Sequence, residues 1–377
     1  MDAQNKYRRI VIKVGSNVLT RDDGRPDTTR ISALVDQVAR LHRAGTEVIL
    51  VSSGAVASGR SILGQRAGKL DSVSARQLFS AVGQVKLLNR YYDLFNEYGI
   101  VCGQVLTTKE SLSTRRQYLN QRNCMETMLA NGVLPIVNEN DTISVTELMF
   151  TDNDELSGLI AAMMDAEALI ILSNIDGIYN GDPSDPASAV IRTVEPHRDD
   201  LSGYIQTGRS QFGRGGMLTK YRMASKVADE GIEVTVANGK RDGILTDLLS
   251  PGSDVVSTRF VPASHSISQV KKWIAHSEGF AKGELHINEG AYEALLRPEA
   301  TSLLPVGVKE VRGDFKRGDV IAVLSPEGDE LARGLAGYSS SDTVRIAGHH
   351  TEEIEGILGF IEQPELIHKD NLVITRD

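Results

Sequence analysis

Residues 10–15 read IVIKVG, a β-branched run broken by a single cation. A central strand of a parallel sheet is apolar throughout, because helices cover both of its faces. Lys13 breaks that rule. An ammonium buried without a partner is expensive. Two readings follow. Either Lys13 snorkels out from the end of the strand, or it is aimed at an anion beyond that end, with Gly15 and Ser16 opening a phosphate loop. In open α/β sheets ligands sit beyond the carboxyl ends of the strands.

Working outward, similar short apolar runs recur at residues 48–51, 100–106, 133–137, 168–172 and 232–236. Helical patterns lie between them. The clearest places Ile31, Leu34, Val35, Val38 and Leu41 on one face, with Asp27 or Thr28 as its cap and Gly45 past its end. Further helices are expected at 74–98, 114–130, 155–164 and 216–230. Strand–helix alternation with continuously apolar strands implies an α/β fold: a three-layer, mostly parallel sheet with helices on both faces. Residues 180–186 (NGDPSDP) read as a turn-rich loop, and 201–216 as a loop rich in Gly, Ser and Arg. Near residue 262 the character changes. Residues 259–268 are irregular, 271–275 suit a short connector, and from about 282 short strands and many glycines indicate a small β-rich domain.

The composition agrees. A chain of 377 residues suits two or three domains, and 41% apolar residues exclude a disordered chain. The 50 Asp and Glu exceed the 41 Lys and Arg. An acidic chain is poorly suited to coat nucleic acid, so any phosphate site should be local. The last 96 residues hold 10 Lys and Arg against 18 Asp and Glu, so most of the acidity belongs to the tail. Cys102 and Cys124 cannot make a disulfide framework. The first nine residues lack the apolar core of a signal peptide, and no stretch approaches the roughly 18 apolar residues of a membrane span. A cytoplasmic protein without a membrane partner is expected.

A second cationic element is GRGGMLTK at 213–220. Gly215 and Gly216 would open a helix with Met217, Tyr221 and Ala224 on one face. Lys220 then falls near the first turn, where the helix dipole disfavours a cation. A phosphate bound at that N-terminus would let N–H groups, dipole and lysine share one anion. The alternative is a flexible glycine loop with a solvated lysine, which Lys13 makes less attractive. The spacing is not that of a P-loop. Three more loops carry polar groups. In VSSGAVASG (51–59), either backbone N–H groups and Ser53 hold a carboxylate or phosphate, or the small residues simply form a close-packed turn. NENDT (138–142) and TDNDE (151–155) hold five acids between them: Glu139, Asp141, Asp152, Asp154 and Glu155. They either cap and turn the chain, or form a cup for an ammonium group with one carboxylate orienting the lysines. The HRD at 197–199 lacks the rest of a protein-kinase signature, and His349–His350 lack companions for a metal site.

In order along the chain, KVGSNVL (13–19), VSSGAVASGR (51–60), NENDT (138–142), TDND (151–154), SNIDGIY (173–179) and GGMLTK (215–220) resemble the glutamate 5-kinase family, enzymes of proline biosynthesis with the amino-acid-kinase fold. EGA (289–291), SLLPVG (302–307) and RIAGHHTEEIEGILG (345–359) resemble the PUA domain, a small pseudobarrel, appended to its bacterial members. The resemblance covers nearly the whole chain. It implies a kinase domain at 1–262, a linker at 263–280, a PUA domain at 281–362 and a tail at 363–377. It also implies ATP-dependent phosphorylation of the side-chain carboxylate of L-glutamate, with ATP and Mg2+ as cofactors.

By matching positions, Lys13 and Lys220 would contact the transferring phosphoryl group and Asp154 would organise them. Ser53, Asp141 and Asn153 would bind glutamate, with Asn138 and Asp152 close by. Lys13, Gly15, Ser173, Asn174 and the run Arg214, Gly215, Gly216, Met217, Leu218, Thr219 and Lys220 would contact ATP. Asn174 stands where the family often has Asp, and Arg214 where it often has Thr; both concern the nucleotide. The resemblance further implies inhibition by proline and a homodimer or homotetramer. A carboxylate nucleophile is already ionised at neutral pH, so no general base is needed; the Mg2+ would be held by phosphate oxygens and water, so no protein ligand to it is assigned. Rival readings are a related kinase acting on acetylglutamate, aspartate, carbamate or UMP, an RNA-binding PUA protein, and a non-catalytic amino-acid sensor. The acidic tail weighs against RNA, and the retained lysines weigh against a sensor.

Overall fold

The computed structural model describes residues 6–64, 70–144, 150, 152–196, 216–264, 267–297 and 301–375. The chain divides into two compact units, residues 1–112 with 116–266 and residues 113–115 with 267–377.

In chain order the first unit contains β1 (Arg9–Val14), α1 (Ser16–Leu19), α2 (Thr28–Arg43), β2 (Glu47–Ser52), α3 (Ala55–Leu63), α4 (Ser72–Asn96), β3 (Cys102–Thr107), α5 (Arg115–Ala130), β4 (Leu134–Glu139), α6 (Asn153–Met163), β5 (Ala168–Ser173), β6 (Thr193–Val194), α7 (Met217–Asp229), β7 (Glu233–Asn238), α8 (Ile244–Leu249) and β8 (Ser257–Phe260). The eight strands form one sheet in the order β3-β4-β2-β1-β5-β7-β8-β6. The six from β3 to β7 run parallel, whereas β8 is antiparallel to β7. The α/β class expected from alternation therefore holds. β1 is central, with Lys13 in register with Val51 of β2 and Ile171 of β5. β1, β4 and β5 are buried along their whole length, as strands covered on both faces must be. The predicted face of α2 is buried, and the Asp27 side chain caps it by accepting from Arg30 N at 3.1 Å.

Residues 55–63 differ from expectation. The small side chains suggest a loop, but they form helix α3, opened by Gly54 at φ +103°. They are small because α4 crosses α3 with backbone against backbone. A Cβ on Gly59 would fall 1.8 Å from the carbonyl oxygen of Phe79, and one on Gly83 would fall 1.8 Å from that of Ala55.

The second unit contains α9 (Gln269–Ala275), β9 (Gly283–Ile287), α10 (Glu289–Leu295), β10 (Val308–Gly313), β11 (Val320–Leu324), β12 (Glu330–Leu335), α11 (Ser340–Ile346), α12 (Ile354–Leu358) and β13 (Leu372–Ile374). Its sheet runs β10-β9-β11-β12-β13, mostly antiparallel, with β9 and β11 parallel. Leu285, Val323, Leu331 and Ile367 lie in its separate apolar core. The segment expected as a connector contains α9, which packs on β12 and β13 and buries Trp273. None of the helices among the described residues is long and apolar enough to cross a membrane.

Candidate active site

At the carboxyl ends of the central strands of the first unit lies a cavity of about 810 Å3. Its position follows from the topology, since β1 has β2 on one side and β5 on the other, and the chain leaves each strand toward the same end. Lys13 enters from β1, Asp154 from the first turn of α6, and Lys220 from the first turn of α7.

These three groups answer the question posed by the interrupted strand. Lys13 Nζ is ion-paired with Asp154 Oδ1, and Lys220 Nζ lies 2.9 Å from Asp154 Oδ2. One carboxylate thus holds two ammonium groups, one on each oxygen. All three are buried, at 5%, 9% and 1% exposure for Lys13, Lys220 and Asp154. The snorkelling reading of Lys13 does not hold. Burial opposes the charge on Asp154, but the two lysines outweigh it and keep the carboxyl well below its usual range. Burial likewise disfavours the charge on Lys220, yet Asp154 and Asp152 hold it above the usual lysine value.

Asp152 caps α6, its Oδ1 accepting from Asp154 N at 2.8 Å and Glu155 N at 3.1 Å. Both the capping reading and a place in the cavity are therefore true of it. Its Oδ2 is buried with no hydrogen-bond partner among the described residues. Burial, and then the neighbouring Asp154 charge, push its carboxyl up to about 6.

A polar chain runs beside this cluster. Asn153 Nδ2 donates to Ser53 Oγ at 2.9 Å and to Asn138 Oδ1 at 3.0 Å, and Asn138 Nδ2 donates to Gln84 Oε1 at 2.9 Å. The amide orientations are those that complete this chain. Asp141, on the loop after β4, also lines the cavity and is ion-paired with Arg76 of α4. Gly15, Ser173, Asn174, Gly216 and Met217 also line the cavity. Gly15 N donates to Leu172 O at 3.0 Å, which ties the turn after β1 to β5.

Leu218 and Thr219 do not line the cavity. The Thr219 hydroxyl bonds back to Gly216 O at 2.8 Å. Arg214 and Gly215 lie outside the described residues. Several residues escape sequence reasoning: Arg76 lines the cavity from α4 as an ordinary polar helix position, Asp182 and Pro183 line it from the turn-rich loop, and Gln84 of α4 accepts from Asn138. Only the pairing partners of Arg76, more than 60 positions away, mark it out.

The cavity thus offers two lysines fixed on one acid, a glycine-rich helix start, and a separate cup of amides and carboxylates. Such a division suits transfer of a phosphoryl group between a nucleotide and a small zwitterion. Comparison with known proteins agrees. Residues 8–238 match the amino acid kinase family and residues 283–358 match the PUA domain. A glutamate 5-kinase of Bacteroides thetaiotaomicron is 64% identical over 347 residues, covering 92% of this chain and 96% of the relative. One of Chlorobaculum tepidum is 44% identical over 370 residues, covering 98% of each chain. The solved structure of a carbamate kinase from Giardia lamblia bound to AMP-PNP shares the fold, with TM-score 0.50 and 16% identity, covering 70% of this chain and 100% of that one. This chain is a member of the amino acid kinase family, in its glutamate 5-kinase branch, and carries a PUA domain.

Proposed function

We propose that this chain transfers the terminal phosphoryl group of ATP to the side-chain carboxylate of L-glutamate, giving L-glutamyl 5-phosphate and ADP, the first step of proline biosynthesis. The observation that carries the chemistry is the Lys13–Asp154–Lys220 cluster at the carboxyl end of β1. The choice of acceptor rests on the curated relatives.

The acceptor carboxylate has a free pKa near 4.3 and needs no base to ionise it. A carboxylate oxygen attacks the γ-phosphorus in line, and the bond from that phosphorus to the β–γ bridging oxygen breaks, leaving ADP. The obstacle is mutual repulsion between an anion and a polyanion. Lys13 and Lys220 meet it with two positive charges, one from a strand and one from a helix start. Asp154 holds both ammonium groups at a fixed separation, so their charge needs little reorganisation when the phosphoryl group becomes more anionic. The backbone N–H groups at the start of α7 point the same way.

At the amino-acid end, Ser53, Asn138 and Asn153 supply neutral polar groups, and Asp141 and Asp152 supply negative charge for the α-ammonium. Asp152 Oδ2, without a partner of its own, is suited to accept from it. Ser173, Asn174, Gly15, Gly216 and Met217 face the nucleotide; Arg214, Gly215, Leu218 and Thr219 are assigned to it by resemblance alone. Mg2+ carried by the nucleotide would add positive charge at its phosphates.

The division at 1–262, 263–280, 281–362 and 363–377, inhibition by proline, assembly as a dimer or tetramer, and a cytoplasmic location accompany this proposal. The test is coupled ADP release across L-glutamate, N-acetylglutamate, aspartate, carbamate and UMP. Turnover with glutamate alone is expected. Turnover with acetylglutamate but not glutamate would overturn the acceptor.

A further inference from the structure

We infer that Arg76 positions the amino-acid half of this site, holding Glu139 and Asp141 in place so that together they present one net negative charge to the α-ammonium of the substrate. The inference rests on glutamate being the acceptor and names a residue that the motifs do not contain.

Arg76 sits near the start of α4, on a different element from the loop it serves. Its Nη2 donates to Glu139 Oε2 at 3.0 Å, and it is ion-paired with Asp141. Glu139 is the fastening of that loop. Its Oε1 accepts from Ser144 Oγ at 2.9 Å and from Phe150 N at 3.1 Å, which draws the two ends of residues 139–150 together. The next residue of α4, Gln77, donates to Thr142 O at 2.9 Å. α4 thus grips the loop by side chains on both sides of Asp141.

The charges are what make Arg76 more than a structural clip. Glu139 and Asp141 are both buried, and two neighbouring carboxylates disfavour each other's ionisation. Among the described residues, the charged groups facing Glu139 are Arg76 from α4 and Asp141 from its own loop. Burial moves the Glu139 carboxyl upward and Asp141 adds to that, while the Ser144 hydroxyl and Arg76 oppose it. Arg60 lines the same cavity, but its guanidinium stacks over the Phe79 ring at 5.6 Å. With Arg76 in place the pair can stay ionised and offer one surplus negative charge. Without it, one carboxylate holds a proton into the working pH range and the ammonium loses its partner.

The test is steady-state kinetics of the full-length enzyme with Arg76→Gln and Arg76→Lys, each checked for folding by circular dichroism. For Arg76→Gln the KM for glutamate should rise about tenfold or more. kcat should fall by less, and the KM for ATP should stay within about twofold. The acid limb of kcat/KM for glutamate should move to higher pH. Arg76→Lys, which restores the charge without the fork, should recover much of the KM and return the acid limb toward that of the wild type. A folded Arg76→Gln with wild-type KM and pH profile would overturn the inference, as would a loss confined to kcat or to ATP. If Arg76→Gln does not fold, an Arg76→Lys whose glutamate KM and acid limb match the wild type supports the charge role, and one whose defect falls on ATP overturns it. Wild-type enzyme inactive on glutamate would overturn the acceptor and this inference together; active wild type with an indifferent Arg76→Gln overturns the inference alone.

Discussion

Asp154 is the shared partner of two buried ammonium groups, Lys13 on one oxygen and Lys220 on the other. Its loss and the loss of a lysine should therefore differ in kind. Lys220→Ala leaves a neutral Lys13–Asp154 pair, so the fold should persist. Asp154→Ala strands two buried cations and should destabilise by about 3–5 kcal/mol, read as a lower denaturation midpoint. Equal stability of the two variants would show that the cluster is not a shared-charge device. Asp152 makes a separate prediction. Its carboxyl titrates near pH 6, so it is uncharged in more acidic solution and can no longer attract an ammonium. kcat/KM for glutamate should fall on the acid side of about pH 6. Because this pKa is raised in the folded state, the group adds stability at low pH and loses it as pH rises from about 4 to about 6. From this group, then, loss of activity in acid is not unfolding; a melting temperature collapsing through the same window would contradict that. Lys13 is legible in the sequence because a cation in a β-branched run is physically conspicuous. Arg76 is not, since an arginine on a helix looks like any solvated residue until the fold brings Glu139 and Asp141 to it.

At the scale of elements, residues 55–63 form helix α3, which α4 crosses closely. Gly59 and Gly83 let the two backbones touch, and neither position has room for a Cβ. Gly83→Ala should cost about 1–3 kcal/mol or more through forced separation of the helices. That would be measured by denaturant unfolding, and a change within about 0.5 kcal/mol would show that the crossing yields easily. The residues 51–59 illustrate what pattern reading can and cannot do. Small side chains signal a close approach of something, and in isolation a ligand and a helix are equally good candidates. Here α3 meets α4 through Gly59, while Ser53 just before it faces the cavity. The long elements α2, α4 and α6 and the six central strands are legible because their periodicity follows directly from burial. β6 and β8 are not, being two and four residues long at the far edge of the sheet.

For the whole molecule, most of the acidity lies in the last 96 residues, and the rest of the chain is nearly neutral. In the proposed function the phosphates of ATP meet two lysines inside one cavity, so the kinase unit needs no basic surface. Both the α/β class and the β-rich second unit are visible in the sequence through alternation, glycine content and spacing. The helix α9 is not, because seven residues with one buried tryptophan carry too little period to distinguish a helix from a connector. The central claim, that a two-lysine site phosphorylates the glutamate side chain, is tested most directly by trapping the acyl phosphate. Incubation with ATP, L-glutamate and hydroxylamine should give the γ-hydroxamate of glutamate in step with ADP, and Lys220→Ala should lower its rate by about a thousandfold while staying folded. ADP release without hydroxamate, or near-wild-type hydroxamate formation by Lys220→Ala, would contradict it.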